Sequence, residues 1–247
     1  ALLDPHQIIA TALIIFATAT VVSTIGFGLG ITATPMLLLV LEPQTVIVTV
    51  NVVSSLIFVL ILVQSRQELP TRKIAPIAIA AALGAPIGVL ALTIVDPSLL
   101  RISIAVLVIA LSAATALNFH TMMPKSRLFG LTIGFGTGGL VAGLGIGGPI
   151  MALFLLGQKM RGPVLRVSLA FYFLGMSIIT LLGYGIAGFY TSERISLLLF
   201  VTVPALGGFW VGSMLLQQMN EVIFKRGVLV VIILSSIMVL LREILSS

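Results

Sequence analysis

Charged residues and histidines cut this chain of 247 residues into eight apolar runs: 7–41, 43–65, 74–95, 102–119, 128–158, 167–192, 195–220 and 227–241. Six are roughly one bilayer long, since about 20 apolar residues form a membrane-crossing helix. Runs 7–41 and 128–158 are too long. A continuous helix over the first would span roughly 52 Å against a hydrocarbon core of about 30 Å. Both runs must tilt, break or fold back. Both carry the same tetrapeptide near or past the middle, Gly28-Leu29-Gly30-Ile31 and Gly143-Leu144-Gly145-Ile146, with Pro35 or Pro149 a few residues on. Glycine and proline are where a helix yields. Each long run therefore predicts a helix, a break at membrane depth and a short returning half-helix, about 32–41 and 149–158. Broken backbone is tolerated in a bilayer only where protein buries it or water reaches it.

Composition agrees and removes other classes. The chain is 59% hydrophobic and 8% charged, with a mean hydropathy of +1.27; a soluble domain is typically about 25% charged. The net charge of +6 is spread over short connections, which reads as a topology signal and not as a nucleic-acid footprint. There are no cysteines, which excludes disulfides and thiolate metal sites, and only two histidines, His6 and His120. No metal and no cofactor is expected. Gly28-Leu29-Gly30 lacks the β-α-β surroundings of a dinucleotide site, and no Ser-His-Asp set, P-loop or deep carboxylate pair is present. The chain does not read as an enzyme.

The two halves repeat each other. Gly84-Ala85-Pro86-Ile87-Gly88 matches Gly208-Phe209-Trp210-Val211-Gly212 at an offset of 124, which also places Asp96 on Asn220 and Arg101 on Lys225. The tetrapeptide offset is 115. If each long run returns to its starting side, each half makes three further crossings, and that odd number inverts the second copy. One side then carries Arg66, Arg72, Lys73, Lys125, Arg127, Lys159, Arg161, Arg166, Lys225 and Arg226, and the other only Arg101, Arg194 and Arg242. The positive-inside rule makes the first side cytoplasmic and puts both termini outside. The expected fold is an all-α polytopic membrane protein of two inverted-topology repeats, each a broken, re-entrant helix pair plus three transmembrane helices. Residues 1–118 form the first repeat, 119–127 the connection and 128–247 the second. Many secondary transporters are built this way.

The glycine breaks are the candidate site. Backbone N–H groups lose their partners there, and each half-helix aims its partly positive N-terminus at the break. Two such ends facing one cavity bind a small anion without a buried Lys or Arg. Gly28, Gly30, Gly143, Gly145, Gly147 and Gly148 would supply backbone, and Thr32 and Thr34 hydroxyls. The competing reading is that the glycines only let helices pack closely. Asn51 is the foremost polar candidate within a span, as ligand or as interhelical hydrogen bond, because an unpaired amide in lipid is costly. Ser54, Ser55, Ser168 and Ser177 either line a path or bond their own helices. Tyr172 lines the path or an interface. Arg166 either enters the cavity or snorkels to lipid phosphate.

GFGLGITATPMLLLV (Gly26 to Val40), GLGIGGPIMALFLLG (Gly143 to Gly157) and RVSLAFYFL (Arg166 to Leu174) resemble the sulfite exporter TauE/SafE family, whose members include 4-toluene sulfonate uptake permease-type transporters. The resemblance runs over essentially the whole chain. It implies a prokaryotic inner-membrane carrier of small sulfur-containing anions such as sulfite, sulfoacetate or related sulfonates. Two departures stand out. Pro149 lies one residue closer to its tetrapeptide than Pro35 does to the first, and Ser177 occupies a position where the family pattern suggests Asn. The expectation is a secondary transporter working by alternating access around a midplane site, with a proton or sodium as the coupling ion. The alternative is a passive channel for a small anion or neutral solute. Partners are the substrate anion and the lipid bilayer, without nucleic acid.

Overall fold

The computed structural model describes residues 5–25, 28–65, 69–116, 124 and 126–215. These residues form α1 (Pro5–Ile25), α2 (Leu29–Leu37), α3 (Pro43–Ser65), α4 (Thr71–Ile94), α5 (Pro97–Ala116), α6 (Arg127–Leu144), α7 (Gly148–Gly157), α8 (Gly162–Ile186) and α9 (Ser192–Leu215). Seven are long and apolar enough to cross a membrane. The other two, α2 with 9 residues and α7 with 10, reach only about half of the ~30 Å hydrocarbon core. The chain is thus an all-helical, multi-pass membrane protein. The expected last span at 227–241, the cations Arg66, Lys125, Lys225, Arg226 and Arg242, and Asn220 and His120 lie outside the described residues.

Side-chain contacts settle the directions of the helices. Along α3 and α8, Asn51 meets Tyr184, Phe58 stacks on Phe173 and Gln64 meets Arg166, so the two run antiparallel. Along α6 and α8, Thr137 meets Tyr172 and Ala142 meets Tyr184, so these run parallel. Thr137 and Tyr172 each lie ten positions into their helices, which brings the two starts level. A chain that leaves α6 and re-enters a parallel α8 has to come back first, and α7 makes that return.

Close packing follows glycine. A Cβ on Gly84 would overlap the Phe135 carbonyl oxygen, and one on Gly88 the Gly139 carbonyl oxygen, so α4 lies backbone to backbone on α6. On the other side of the molecule, Gly208 and Gly212 press α9 onto the carbonyls of Phe16 and Thr20 in α1 in the same way. The five-residue match at offset 124 is thus a matched pair of helix contacts. Small residues serve this purpose in membranes, where lipid is as apolar as leucine and close contact supplies the attraction.

The two tetrapeptides are not equivalent in the structure. Phe16 and Phe135 are 119 positions apart, as are Thr20 and Gly139. So are Gly28 and Gly147, the N-cap residues of α2 and α7. The tetrapeptide offset of 115 is four short of this, about one helical turn. As a result, Gly28-Leu29-Gly30-Ile31 opens the half-helix in the first half. Gly143-Leu144-Gly145-Ile146 closes the long helix in the second. The register of 119 instead pairs the triplet Gly26-Phe27-Gly28 with Gly145-Ile146-Gly147.

This register corrects two boundary expectations. The first half-helix starts at Leu29 and not near 32, because Gly28 takes a left-handed conformation (φ 105°) that turns the chain just before it. Pro35 therefore sits inside α2 and does not mark the break. Pro149 does, at the second position of α7, where a missing N–H costs nothing.

Gly84→Val and Gly208→Val are expected to lower the thermal unfolding midpoint in detergent, since forced overpacking costs about 1–3 kcal/mol. Gly136, where a Cβ meets nothing within 4 Å, serves as the control: Gly136→Ala leaves the midpoint within error.

Candidate functional site

Each half-helix begins with unpaired backbone donors. In α2 the first backbone bond runs from Thr32 N to the Gly28 carbonyl at 3.0 Å, which leaves the N–H groups of Leu29, Gly30 and Ile31 ahead of it. In α7 the corresponding bond runs from Met151 to Gly147, leaving Gly148 and Ile150; Pro149 has no N–H. Neither N-cap, Gly28 or Gly147, offers a side chain to these donors. Gly145 closes α6 in the left-handed region (φ 72°), and a Cβ on Gly30 would overlap its carbonyl oxygen. The two breaks are therefore in direct backbone contact, and only glycine permits that approach.

Both ends open on one cavity. Its lining includes Gly28, Gly30 and Ile31 from the first break, and Gly145, Gly147 and Gly148 from the second. Asn51, Ser54 and Phe58 come from the middle of α3, and Phe173 and Ser177 from α8. Among the described residues, no charged side chain lines it. Positive potential in the cavity comes from the partial charges at the ends of α2 and α7, up to about half an elementary charge each. The cavity volume of about 30 Å³ holds one or two water molecules. At the register of 119, Ser54 corresponds to Phe173 and Phe58 to Ser177. Both halves thus contribute a serine and a phenylalanine, in swapped order.

Asn51 makes the interhelical hydrogen bonds open to it. Its Nδ2 donates to the carbonyls of Ile47 (2.9 Å) and Val141 (3.1 Å) and to Tyr184 Oη (3.0 Å). Tyr184 Oη in turn donates to the Ala142 carbonyl at 2.6 Å. Two carbonyl partners require the NH2 group on that side. The amide thus ties α3 to the last turn of α6, just ahead of the break. Ser177 donates to its own helix at the Phe173 carbonyl, 2.7 Å away, and keeps lone pairs for the cavity.

The remaining expected residues lie elsewhere. The Thr32 hydroxyl returns to the Gly28 carbonyl at 2.8 Å and is used within α2. Thr34 is fully buried, its Oγ1 has no partner, and it lies against Gly145 beside the cavity wall. Gly143 packs on the Gly88 backbone, in the α4–α6 contact and not in the cavity. Tyr172 is fully buried and bonds Thr137 Oγ1 and the Gly134 carbonyl, so it clamps α8 to α6. Arg166 is also remote, at the far end of α3 beside Gln64. Phe58, Phe173 and Tyr184 were not singled out by sequence. The one available signal was a tyrosine deep in an apolar run, which needs a partner for its hydroxyl.

The sequence model of the sulfite exporter TauE/SafE family matches residues 8–239. The chain belongs to that family. No curated protein and no solved structure matches the chain. TauE/SafE membership implies membrane transport of sulfur anions such as sulfite. The match takes in both glycine breaks, α3 and α8, so every residue around the cavity belongs to the TauE/SafE region.

Tyr184→Phe removes a hydroxyl that bonds both Ala142 and Asn51 and leaves a buried carbonyl unpaired. A loss of about 1–2 kcal/mol is expected, read as a lower unfolding midpoint in detergent. Thr202→Val, which removes a bond within α9 only, changes the midpoint less.

Proposed function

We propose that the cavity between the α2 and α7 N-termini is the substrate site of a secondary transporter for small sulfur oxyanions, sulfite or a short sulfonate such as sulfoacetate. The observation that carries this reading is the convergence of two uncapped half-helix ends on one cavity with no charged side chain among the described residues that line it. Orphan N–H groups and helix dipoles suit a compact anion, and they hold it without the ion pair that would slow release. Gly28, Gly30, Gly145, Gly147 and Gly148 supply backbone, with Asn51, Ser54 and Ser177 around them. Thr34 stands in the adjoining wall. Gly143, Thr32, Tyr172 and Arg166 act from outside the cavity, through packing or at the approach.

In this scheme the cavity widens around the anion as the two halves part. Alternating access supplies that step. The reading that the halves are inverted copies is supported by the antiparallel course of α3 and α8 and by the matched α4–α6 and α1–α9 contacts. Arg72, Lys73, Lys159 and Arg161 gather at the end of the molecule where α4 and α8 begin. By the positive-inside rule that end is cytoplasmic, in a bacterial-type inner membrane, with both termini on the other face. The coupling ion in this scheme is a proton or sodium.

Purified protein in liposomes is expected to show saturable uptake and counterflow of labelled sulfite or sulfoacetate. Ser54→Asp places a carboxylate among the anion's donors and is expected to cut the flux at least tenfold while the protein remains folded. Flux that rises with the gradient without saturation or counterflow indicates a channel instead. Wild-type flux in Ser54→Asp overturns the site.

A further inference from the structure

An arginine sits at each end of α3, outside the cavity. At the end near the α3–α4 and α7–α8 connections, Arg166 of α8 donates from Nη2 to Gln64 Oε1 at 3.3 Å. This arginine is 9% exposed and its Nε has no partner. At the opposite end, Arg194 of α9 donates from Nε to Thr45 Oγ1 (3.0 Å), from Nη2 to Gln44 Oε1 (3.4 Å) and from Nη1 to the Phe189 carbonyl (3.2 Å). Its guanidinium also covers the Phe189 ring at 5.6 Å. Glu42 and Glu193 are the carboxylates whose charge reaches Arg194.

The two clusters bracket the cavity evenly. Gln44 and Gln64 each lie ten positions from Ser54, about 15 Å along the helix. One aromatic pair stands between the cavity and each arginine. Toward Arg166 it is Phe58 stacked on Phe173, with centroids 5.2 Å apart. Toward Arg194 it is Tyr184 edge-on to Phe189 at 5.8 Å. Both arginines belong to the second half of the chain and both glutamines to α3 of the first.

The partner type matters. A carboxylate would hold the guanidinium in a strong, bidentate ion pair and cancel its charge. A glutamine oxygen makes a weaker bond and leaves the charge in place. Arg166, 9% exposed and without a carboxylate partner among the described residues, gains from an arriving anion, and Arg194, half-buried and reached by Glu42 and Glu193, gains less.

We propose that Arg166 and Arg194 are the anion-recruiting groups of two mouths on opposite membrane faces. Their bonds to Gln64 and Gln44 are the closed positions of two gates that open one at a time. The inference rests on the central oxyanion site proposed above. Parting α3 from α8 at Gln64 frees the Arg166 fork for an incoming oxyanion while Gln44 stays tied to Arg194. Parting α3 from α9 at Gln44 does the reverse.

The chain contains no cysteine, so Ser54→Cys places a single thiol in the cavity. A membrane-impermeant thiol reagent, applied without any sulfur anion to right-side-out and inside-out vesicles, reads each gate separately. Gln64→Glu turns the first bond into an ion pair and is expected to slow labelling from the Arg166 face at least tenfold, with labelling from the other face kept. Gln44→Glu is expected to give the opposite asymmetry. Labelling from both faces that neither substitution changes, or that both change alike, overturns the gates.

A second arm uses transport. Arg166→Gln and Arg194→Gln are each expected to raise KM at least tenfold for entry from that arginine's own face, with kcat within about twofold and partial rescue by Lys. A KM change equal on both faces, or a fall in kcat alone, overturns the recruiting role. If the carrier reading itself fails, no variant and no wild type shows saturable flux, while the thiol labelling still decides the gates.

Discussion

A bilayer interior offers no water to broken backbone, and this protein breaks its backbone twice inside the apolar part of the chain. Every unsatisfied N–H in hydrocarbon costs several kcal/mol, so a break survives only if protein covers it or a polar cavity receives it. Both solutions are used together here. Gly30 lies on the Gly145 carbonyl, so each break covers part of the other. The donors that remain, at the starts of α2 and α7, face the one cavity they share. The site is the consequence of two breaks that have to meet.

The rest of the bundle holds them in place. Gly84 and Gly88 lay α4 against α6, and Gly208 and Gly212 lay α9 against α1, so the two helices that lead into the breaks are each gripped by a helix of the other half. Asn51 and Tyr184 then fasten α3 and α8 to the last turn of α6. The helix that reaches the second break is thereby anchored from both halves. Polar contacts of this kind are few and each is individually modest in membranes. They act at the one place where helical bonding has stopped, and there a hydrogen bond replaces one that is missing.

Much of the architecture was legible in the sequence because a membrane helix is limited by length. Run lengths alone called for breaks in 7–41 and 128–158, and the half-helices α2 and α7 lie within those runs. Gly28, Gly30, Asn51, Gly145, Gly147, Gly148 and Ser177 are candidates by sequence, and they line one cavity. Other candidates dispersed for physical reasons. Thr32 bonds its own helix, Tyr172 satisfies its hydroxyl on α6, and Arg166 lies too near the start of α8. The repeated tetrapeptide opens a half-helix at one break and closes a long helix at the other, because identical letters report composition at a break and not which side of the break they occupy.

The sequence by itself determined that this chain crosses a membrane many times, that two of its helices break at glycines, and that it belongs with the sulfite exporters. Hydropathy and run length carry that information locally, and family letters carry the rest. Only the tertiary structure decided that Gly28 and Gly147 stand at the starts of the two half-helices, that Pro35 lies inside a helix, and that Phe58 meets Phe173 at the cavity wall. It alone set Arg166 and Arg194 against glutamines at opposite ends of α3. These facts depend on which faces of distant helices touch. In a chain whose spans are apolar all round, no periodicity in the sequence marks those faces.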